Sequence, residues 1–280
     1  MSSGCRRTSR QRLPLLLLTS ALGAVQASAR ELRVCADPNN LPFSNKAAEG
    51  FENRITELVA RDLGATVVYT WWAQRRGFLR NTLHDTKCDV VPGLPVGTEL
   101  TRPTAPLYRS AYAFVTRAEV PAISSFDDPR LRELRIGVQM VGDNGYNTPP
   151  AHALSRRGLV GNVRGYALYG DYSEPHPPSR IVDAVAKGEV DVAVVWGPLA
   201  GYFAARASPP LRVTLVTPPF DGARLPMAFD IAFAVRKDDD GGEFAREIGG
   251  ALRRHKPEVD AILAAYAVPR LDQLQTPEVQ

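Results

Sequence analysis

The sequence predicts an α/β protein of two lobes, each a wound, mostly parallel sheet flanked by helices, the lobes joined by two hinge strands. Three observations carry that expectation. Apolar runs of strand length alternate with segments of helical period, twice along the chain. The two series also end alike: Thr86-Lys87-Cys88-Asp89-Val90-Val91-Pro92-Gly93 and Lys187-Gly188-Glu189-Val190-Asp191-Val192-Ala193-Val194 each carry a helix through a tight turn into an Asp-led apolar strand. Finally, each series is followed by an extended segment of similar character, at 111–117 and 230–236.

The first series opens with a strand at 32–36 and the loop Asp37-Pro38-Asn39-Asn40-Leu41-Pro42-Phe43-Ser44-Asn45. Amides, prolines and an aromatic at a strand's carboxyl edge occupy the place where open α/β sheets bind ligands. A helix is expected from Gly50, with Phe51, Ile55, Leu58, Val59 and Leu63 on one stripe. A strand at 66–72, a helix marked by Phe78, Leu79 and Leu83, and a strand at 89–91 complete the series. The second series predicts a strand at 135–139, a helix after Pro149-Pro150, a strand at 163–169, a helix at 181–186 and a closing strand from Val190. Two carboxyl-terminal helices follow, one carried by Phe244, Ile248 and Leu252, the other by Val259, Ile262, Leu263 and Tyr266. The expected layout is lobe 1 at 30–115, an inserted lobe 2 at 116–226, and a return to lobe 1 at 227–280. Few contacts would then resist opening and closing.

Residues 1–29 read as a secretory signal: four arginines and no acid, an apolar run from Leu13 to Val25, then Ala27-Ser28-Ala29. The apolar run is shorter than the roughly 20 residues of a spanning helix, so no membrane anchor is expected after cleavage. Of 280 residues, 251 then remain, enough for two lobes of ordinary size. Removing the four leader arginines from 34 basic residues leaves 30, equal to the 30 acidic ones. A near-neutral chain has no basic footprint for nucleic acid. Cys5 leaves with the leader, and Cys35 and Cys88 remain as a pair in a compartment that permits disulfides. A Cys35–Cys88 bridge is expected, the alternative being two separate buried thiols.

The sequence holds no nucleophile elbow and no phosphate loop, and its four histidines are scattered, so no metal site is expected. Asp238-Asp239-Asp240-Gly241-Gly242 lacks the alternation of a calcium loop; it reads as a helix start, Asp240 capping and Glu243 completing the box. In Trp71-Trp72-Ala73-Gln74-Arg75-Arg76-Gly77-Phe78, strand alternation sends one tryptophan to the core and the other toward a cleft. Cations are disfavoured at a helix amino terminus, so the arginine pair is either a solvated helix start or a binding group. The segment 141–150 supplies Gly142, Asp143 and Asn144 before a helix start at Thr148-Pro149, a second lip or a simple capped turn. Trp196-Gly197-Pro198-Leu199-Ala200-Gly201-Tyr202-Phe203 crowds aromatics at a strand end, as recognition surface or as packing.

The opening loop 37–45, Gly50-Phe51-Glu52-Asn53-Arg54, Gln74-Arg75-Arg76-Gly77-Phe78, Cys88-Asp89-Val90-Val91, Tyr108-Arg109-Ser110 and the segment 196–203 together resemble the type 2 periplasmic solute-binding proteins. The resemblance covers nearly the whole chain after the leader. It is closer to the MoxJ/MxaJ/XoxJ group, the quinoprotein-dehydrogenase-associated binding proteins of methanol oxidation systems. It implies a periplasmic accessory protein, without a cofactor of its own, serving a PQQ-dependent, calcium- or lanthanide-containing methanol dehydrogenase, in its apo form. Amino-acid-importing relatives place an arginine at the position of Leu100 and an aspartate near 196–198. Neither charge is present, so a desolvated zwitterion would lack compensation.

The expected cleft residues are Asn39, Asn40, Phe43, Phe51, Glu52, Trp72, Gln74, Arg75, Arg76, Arg109, Gly142, Asp143, Asn144, Trp196, Gly197 and Tyr202. Three functions remain open at this point. One is a cleft that receives a segment of the dehydrogenase, aromatics with arginine being suited to protein anchors. Another is an importer's receptor for a small molecule or peptide. The last is an enzyme with Glu52 or Asp143 as general acid or base, for which no poised pair of titratable groups is visible.

Overall fold

The computed structural model describes residues 30–140, 147–169, 172–237 and 242–272, together with Met1 and Gly4. The leader expected at 1–29 falls outside the described residues but for those two, and so do Gly142, Asp143, Asn144 and Asp238-Asp239-Asp240. Among the described residues, ten strands form one continuous sheet. They are β1 (Arg30–Ala36), β2 (Ala65–Trp71), β3 (Val90–Pro95), β4 (Thr101–Pro103), β5 (Tyr108–Arg117), β6 (Ile136–Gln139), β7 (Val163–Tyr166), β8 (Val192–Trp196), β9 (Leu211–Leu215) and β10 (Ala228–Arg236). The helices are α1 (Phe51–Asp62), α2 (Phe78–Asn81), α3 (Pro149–Arg156), α4 (Arg180–Ala186), α5 (Gly197–Ala204), α6 (Glu243–Arg254) and α7 (Lys256–Ala265).

Strand order is β2-β1-β3-β10-β5-β8-β6-β7, with β4 against β10 and β9 against β5. Parallel wound strands make up each half: β1 beside β2 and β3, and β6 beside β7 and β8. The two long strands run antiparallel to them, β10 on β3 and β5 on β8. These are the expected hinge strands, and they pair with each other only over 108–111 and 228–231. Past that window β5 continues into the second half and β10 into the first. Both are rich in β-branched, aromatic and alanine residues and are buried through Ala113-Phe114-Val115 and Ala232-Phe233-Ala234-Val235. Burial on both faces is the state of a central strand.

Local chemistry explains the element boundaries that matter for the cleft. Helix α1 buries Phe51, Ile55, Leu58 and Val59 on the expected stripe. It starts behind Gly50 because a Cβ there would lie 2.0 Å from the Phe43 carbonyl oxygen. Asn53 Oδ1 accepts from the backbone N–H groups of Gly50 and Asn45, fixing the helix start against the preceding loop. At the other end of the cleft, Thr148 is the N-cap of α3 with Pro149 following, as expected, yet its hydroxyl donates to the Gln139 carbonyl instead of capping.

Several expectations need correction. The helix around Phe78 is a single turn ending at Asn81, although Leu83 is fully buried beyond it. The strand expected at 163–169 stops at Tyr166. Helix α6 begins at Glu243 behind Gly242, which holds φ +88°, so Glu243 is the first helical residue and not the third. Gly242, and not the expected Asp240, holds the N-cap position. The scarcity of contacts between the halves is also not observed. One apolar cluster runs from Val34, Ile55 and Phe233 to Ile181, Val195 and Leu199. The segment after α7 straps the second half as well: Gly201 of α5 is packed so closely that a Cβ would fall 2.0 Å from the Ala267 carbonyl oxygen, and Tyr202 stacks on Tyr266 at 5.5 Å.

Cys35 of β1 and Cys88, just before β3, are joined, their Cα atoms 5.6 Å apart and 53 residues apart in sequence. Closing a loop of that length is worth about 4 kcal/mol in the chain-entropy account. Replacing both cysteines by alanine in protein starting at Arg30 should therefore lower unfolding stability by about 2–4 kcal/mol in urea titration. Alkylation of the unreduced, denatured parent should label no thiol.

Candidate functional site

Two loops at the carboxyl ends of β1 and β2 are tied together by one buried carboxyl. Asp37 is 2% exposed and accepts from the backbone N–H of Asn39 at 2.8 Å and of Gln74 at 2.6 Å. Ser44 Oγ closes the first loop on the Asp37 carbonyl at 2.8 Å, and Asn40 Nδ2 donates to Gln74 Oε1 at 3.0 Å. Burial raises the pKa of Asp37, against the two backbone donors and Arg75, which lower it. The result is a rigid lip that presents Asn40, Phe43 and Gln74 toward the second half.

Between the halves lies an inner pocket of about 200 Å³. Its floor comes from the hinge crossing, Tyr108 and Tyr112 of β5 with Phe229 and Ile231 of β10. The first half adds Asn40, Phe43, Glu52, Gln74, Gly93 and Pro95, and the second adds Tyr169 and Trp196. Trp196 stands edge-on to Tyr112 at 5.4 Å and to Phe229 at 5.9 Å between ring centroids. The carboxyl of Glu52, a residue 6% exposed, makes no hydrogen bond or ion pair among the described residues, and its desolvation pushes its pKa well up. A helix amino terminus favours an ionised carboxylate, so burial outweighs that preference here. Gly93 makes room for it: at φ +113° it sits where the β3–β10 register shifts, and a Cβ would lie 1.9 Å from Glu52 Oε1. Burial also raises Tyr108, Tyr112 and Tyr169, with the nearby Glu52 adding to Tyr108.

A larger opening of about 710 Å³ adjoins this pocket and shares Gln74 and Tyr169 with it. Arg75, Arg76 and Arg80 line it on one side, and Met140, Ala167 and Leu168 on the other. The arginines at the start of α2 thus face the mouth between the halves. Asn39 reaches across the same gap, its Nδ2 donating to the Glu174 carbonyl at 2.8 Å.

Of the expected cleft residues, the inner pocket gathers Asn40, Phe43, Glu52, Gln74 and Trp196, and the mouth gathers Gln74, Arg75 and Arg76. Five others lie elsewhere. Phe51 is wholly buried against Phe43, Tyr108 and Tyr266, because it sits on the core stripe of α1. Trp72 is exposed, with the Lys87 ammonium 5.6 Å from its ring centroid, and Trp71 stacks on Tyr69; neither tryptophan reaches the pocket. Arg109 is opposite Asp230 in the ladder and pairs with it at 2.7 Å. Gly197 answers a packing need, since a Cβ would lie 2.5 Å from the Ala111 carbonyl oxygen. Tyr202 is held between Tyr266 and the Arg206 guanidinium on the outer side of α5.

Sequence reasoning missed Tyr108, Tyr112, Phe229 and Ile231. The available signal was strand period: 108 and 112 share one face of β5, and 229 and 231 one face of β10. Among the described residues no group of three or more His, Cys, Asp or Glu is placed to hold a metal ion, and no helix is long and apolar enough to cross a membrane.

Known proteins resemble the chain in sequence and in fold. No family model matches it. The chain is 35% identical over 266 residues to protein MoxJ of Methylorubrum extorquens, covering 90% of this chain and 86% of that one. It superposes on the periplasmic binding protein XoxJ from Methylobacterium extorquens AM1 with TM-score 0.68 and 33% identity, over 86% of this chain and 99% of that one. On MxaJ from Methlophaga aminisulfidivorans MPT the TM-score is 0.71 at 26% identity, over 86% of this chain and all of the other.

The buried acid has a pH consequence. A carboxyl whose pKa is higher folded than unfolded stabilises the fold while protonated. That contribution is complete below the ordinary glutamate value of 4.5 and is lost as pH rises through the raised value. Urea unfolding across about pH 4 to pH 8 should show wild type losing stability with rising pH relative to Glu52→Gln. A difference between the two that stays constant over this range would refute the assignment.

Proposed function

This chain belongs to the MoxJ family, and on that premise we propose that it is a non-enzymatic periplasmic accessory protein of methanol oxidation that engages a PQQ-dependent methanol dehydrogenase through its interlobe cleft. Lobe 1 then comprises 30–115 and 227–280, with 116–226 inserted as lobe 2, and residues 1–29 direct export. One observation carries the reading: an arginine-lined mouth of about 710 Å³ opening onto an aromatic interior. Arginine and aromatic side chains concentrate binding energy at protein anchor sites, and guanidinium groups at a rim steer acidic partners. The mouth is wider than a compact metabolite needs, which suits a loop or terminus of the apo dehydrogenase.

The lining of the inner pocket supports the non-enzymatic reading. Glu52 is the single acid among the described residues that line it, and burial opposes ionisation of the tyrosines beside it. General acid and base work requires two groups with separated affinities for the proton. The second reading, a receptor for a small molecule, is favoured by the inner pocket, whose volume of about 200 Å³ suits a compact ligand.

Replacing Arg75, Arg76 and Arg80 together by alanine should weaken capture of apo methanol dehydrogenase by about tenfold or more and flatten its salt dependence. Native mass spectrometry across a salt series reads both. Capture of unchanged strength would place the contact on the outer surface instead of the mouth.

A further inference from the structure

Among the described residues the inner pocket holds an acid and no basic side chain to match it. The Glu52 carboxyl has no hydrogen-bond or ion-pair partner among them. Asn40 is 1% exposed, and its buried Oδ1 accepts from none of them. No described lysine, arginine or histidine lines the pocket. Its walls are the rings of Phe43, Tyr108, Tyr112, Tyr169, Trp196 and Phe229. Aromatic faces attract cations through their quadrupole, and a desolvated carboxyl in the same box supplies the opposite charge. A buried amide oxygen left unmatched beside an acid without a basic partner is unfavourable, so a native pocket built this way calls for a cationic donor from outside the chain.

We infer that the inner pocket binds an alkylammonium group, its N–H donors directed at Glu52 and Asn40 Oδ1 and its carbon chain against the aromatic walls. The inference rests on the cleft reading above, and it deepens that reading by naming the chemistry of what enters deepest. An alkylammonium reaches the pocket either as a free small amine or as a lysine side chain on a segment seated in the mouth. Neutral alcohols of the same length carry one donor and offer no counter-charge to the ionised acid. Burial raises the affinity of Glu52 for a proton in the empty pocket, and an ammonium that takes the proton's place as counter-charge sends it to solvent. Titratable groups around it are Tyr108, Tyr112 and Tyr169, held neutral by burial, and Asp37, whose carboxyl already accepts two backbone N–H groups.

Calorimetry of the full-length secreted protein with n-butylammonium chloride, in buffers of different ionisation enthalpy near neutral pH, tests this. One site and release of about one proton are expected, with Trp196 fluorescence changing in step and n-butanol failing to compete. Glu52→Gln should lower amine affinity at least tenfold. Because that substitution also alters the fold's pH response, Tyr112→Leu serves as a second variant. It retains an apolar wall without the ring and should weaken n-butylammonium at least fivefold. Equal affinity for butanol and butylammonium, or both variants within twofold of the parent for butylammonium, overturns the inference. Capture of apo methanol dehydrogenase in saturating n-butylammonium then separates the sources. Loss of capture assigns the group to a lysine of the partner, and undiminished capture assigns it to a free amine. Amine binding that survives Arg75→Ala, Arg76→Ala and Arg80→Ala without any capture by the parent protein removes the dehydrogenase reading alone. Capture without amine binding removes the present inference alone.

Discussion

Two strands must join both halves of one sheet, and the short window where they meet governs the rest of the molecule. β5 and β10 hydrogen-bond to each other only across 108–111 and 228–231, then diverge into opposite halves. Everything near that window is fixed by backbone ladders instead of by loops. Arg109 and Asp230 face each other across it, and Ser110 Oγ donates to the Pro269 carbonyl at 2.6 Å, anchoring the segment that follows α7. Gly197 lets α5 descend onto the same strand. The pocket floor is therefore the most rigid part of the cleft, because Tyr108, Tyr112, Phe229 and Ile231 ride on a paired sheet.

The lips are held differently. Asp37 joins the loops after β1 and β2 through backbone N–H groups, so Asn40 and Gln74 keep their relation to each other whatever occupies the cleft. Across the gap, Asn39 meets the Glu174 carbonyl in one hydrogen bond on the protein's outer margin. Such a bond contributes on the order of 1 kcal/mol and is exchangeable with water. A continuous apolar cluster and the strap from Ala267 to Asp272 resist separation of the halves more than that single contact does. Any movement of the halves must then be accommodated where β5 and β10 diverge beyond that window, each into its own half.

The wound halves, both hinge strands and the cysteine bridge were legible in the sequence because each rests on local signals: period, length and the partner strand that winding dictates. Helix α6 was misjudged at its start because Gly242 in a left-handed conformation can begin a helix as an acidic cap can. The site was half legible. Loop residues Asn40, Phe43 and Gln74 announced themselves through composition, and Glu52 through its place one residue into a helix. Phe51 and Arg109 did not separate from their neighbours in sequence, since which of two adjacent residues faces a core or a strand partner is set by tertiary register. Trp71 and Trp72 drew attention by size, yet both finish at the sheet's outer end, where large aromatics pack on the surface without implying recognition.

A permanent carboxylate behind three arginines would draw them inward and close the pocket it sits in. Burial works against this: desolvation favours the protonated form of Glu52 and so weakens its pull on the guanidinium groups lining the mouth. Those groups in turn lie in solvent, where charges more than about 10 Å apart are largely screened at physiological salt, so they hardly obstruct a monovalent cation on its way in. Inside, screening is absent and the same single charge is felt strongly. On the proposed reading, acidic segments are met at the rim and cationic groups at the floor, an order of charges along one passage in a chain whose residues 30–280 carry equal numbers of basic and acidic side chains. An extended ligand bearing an acid and an amine a few residues apart fits that order, whereas a compact zwitterion, whose two charges lie within one residue, cannot reach both ends at once.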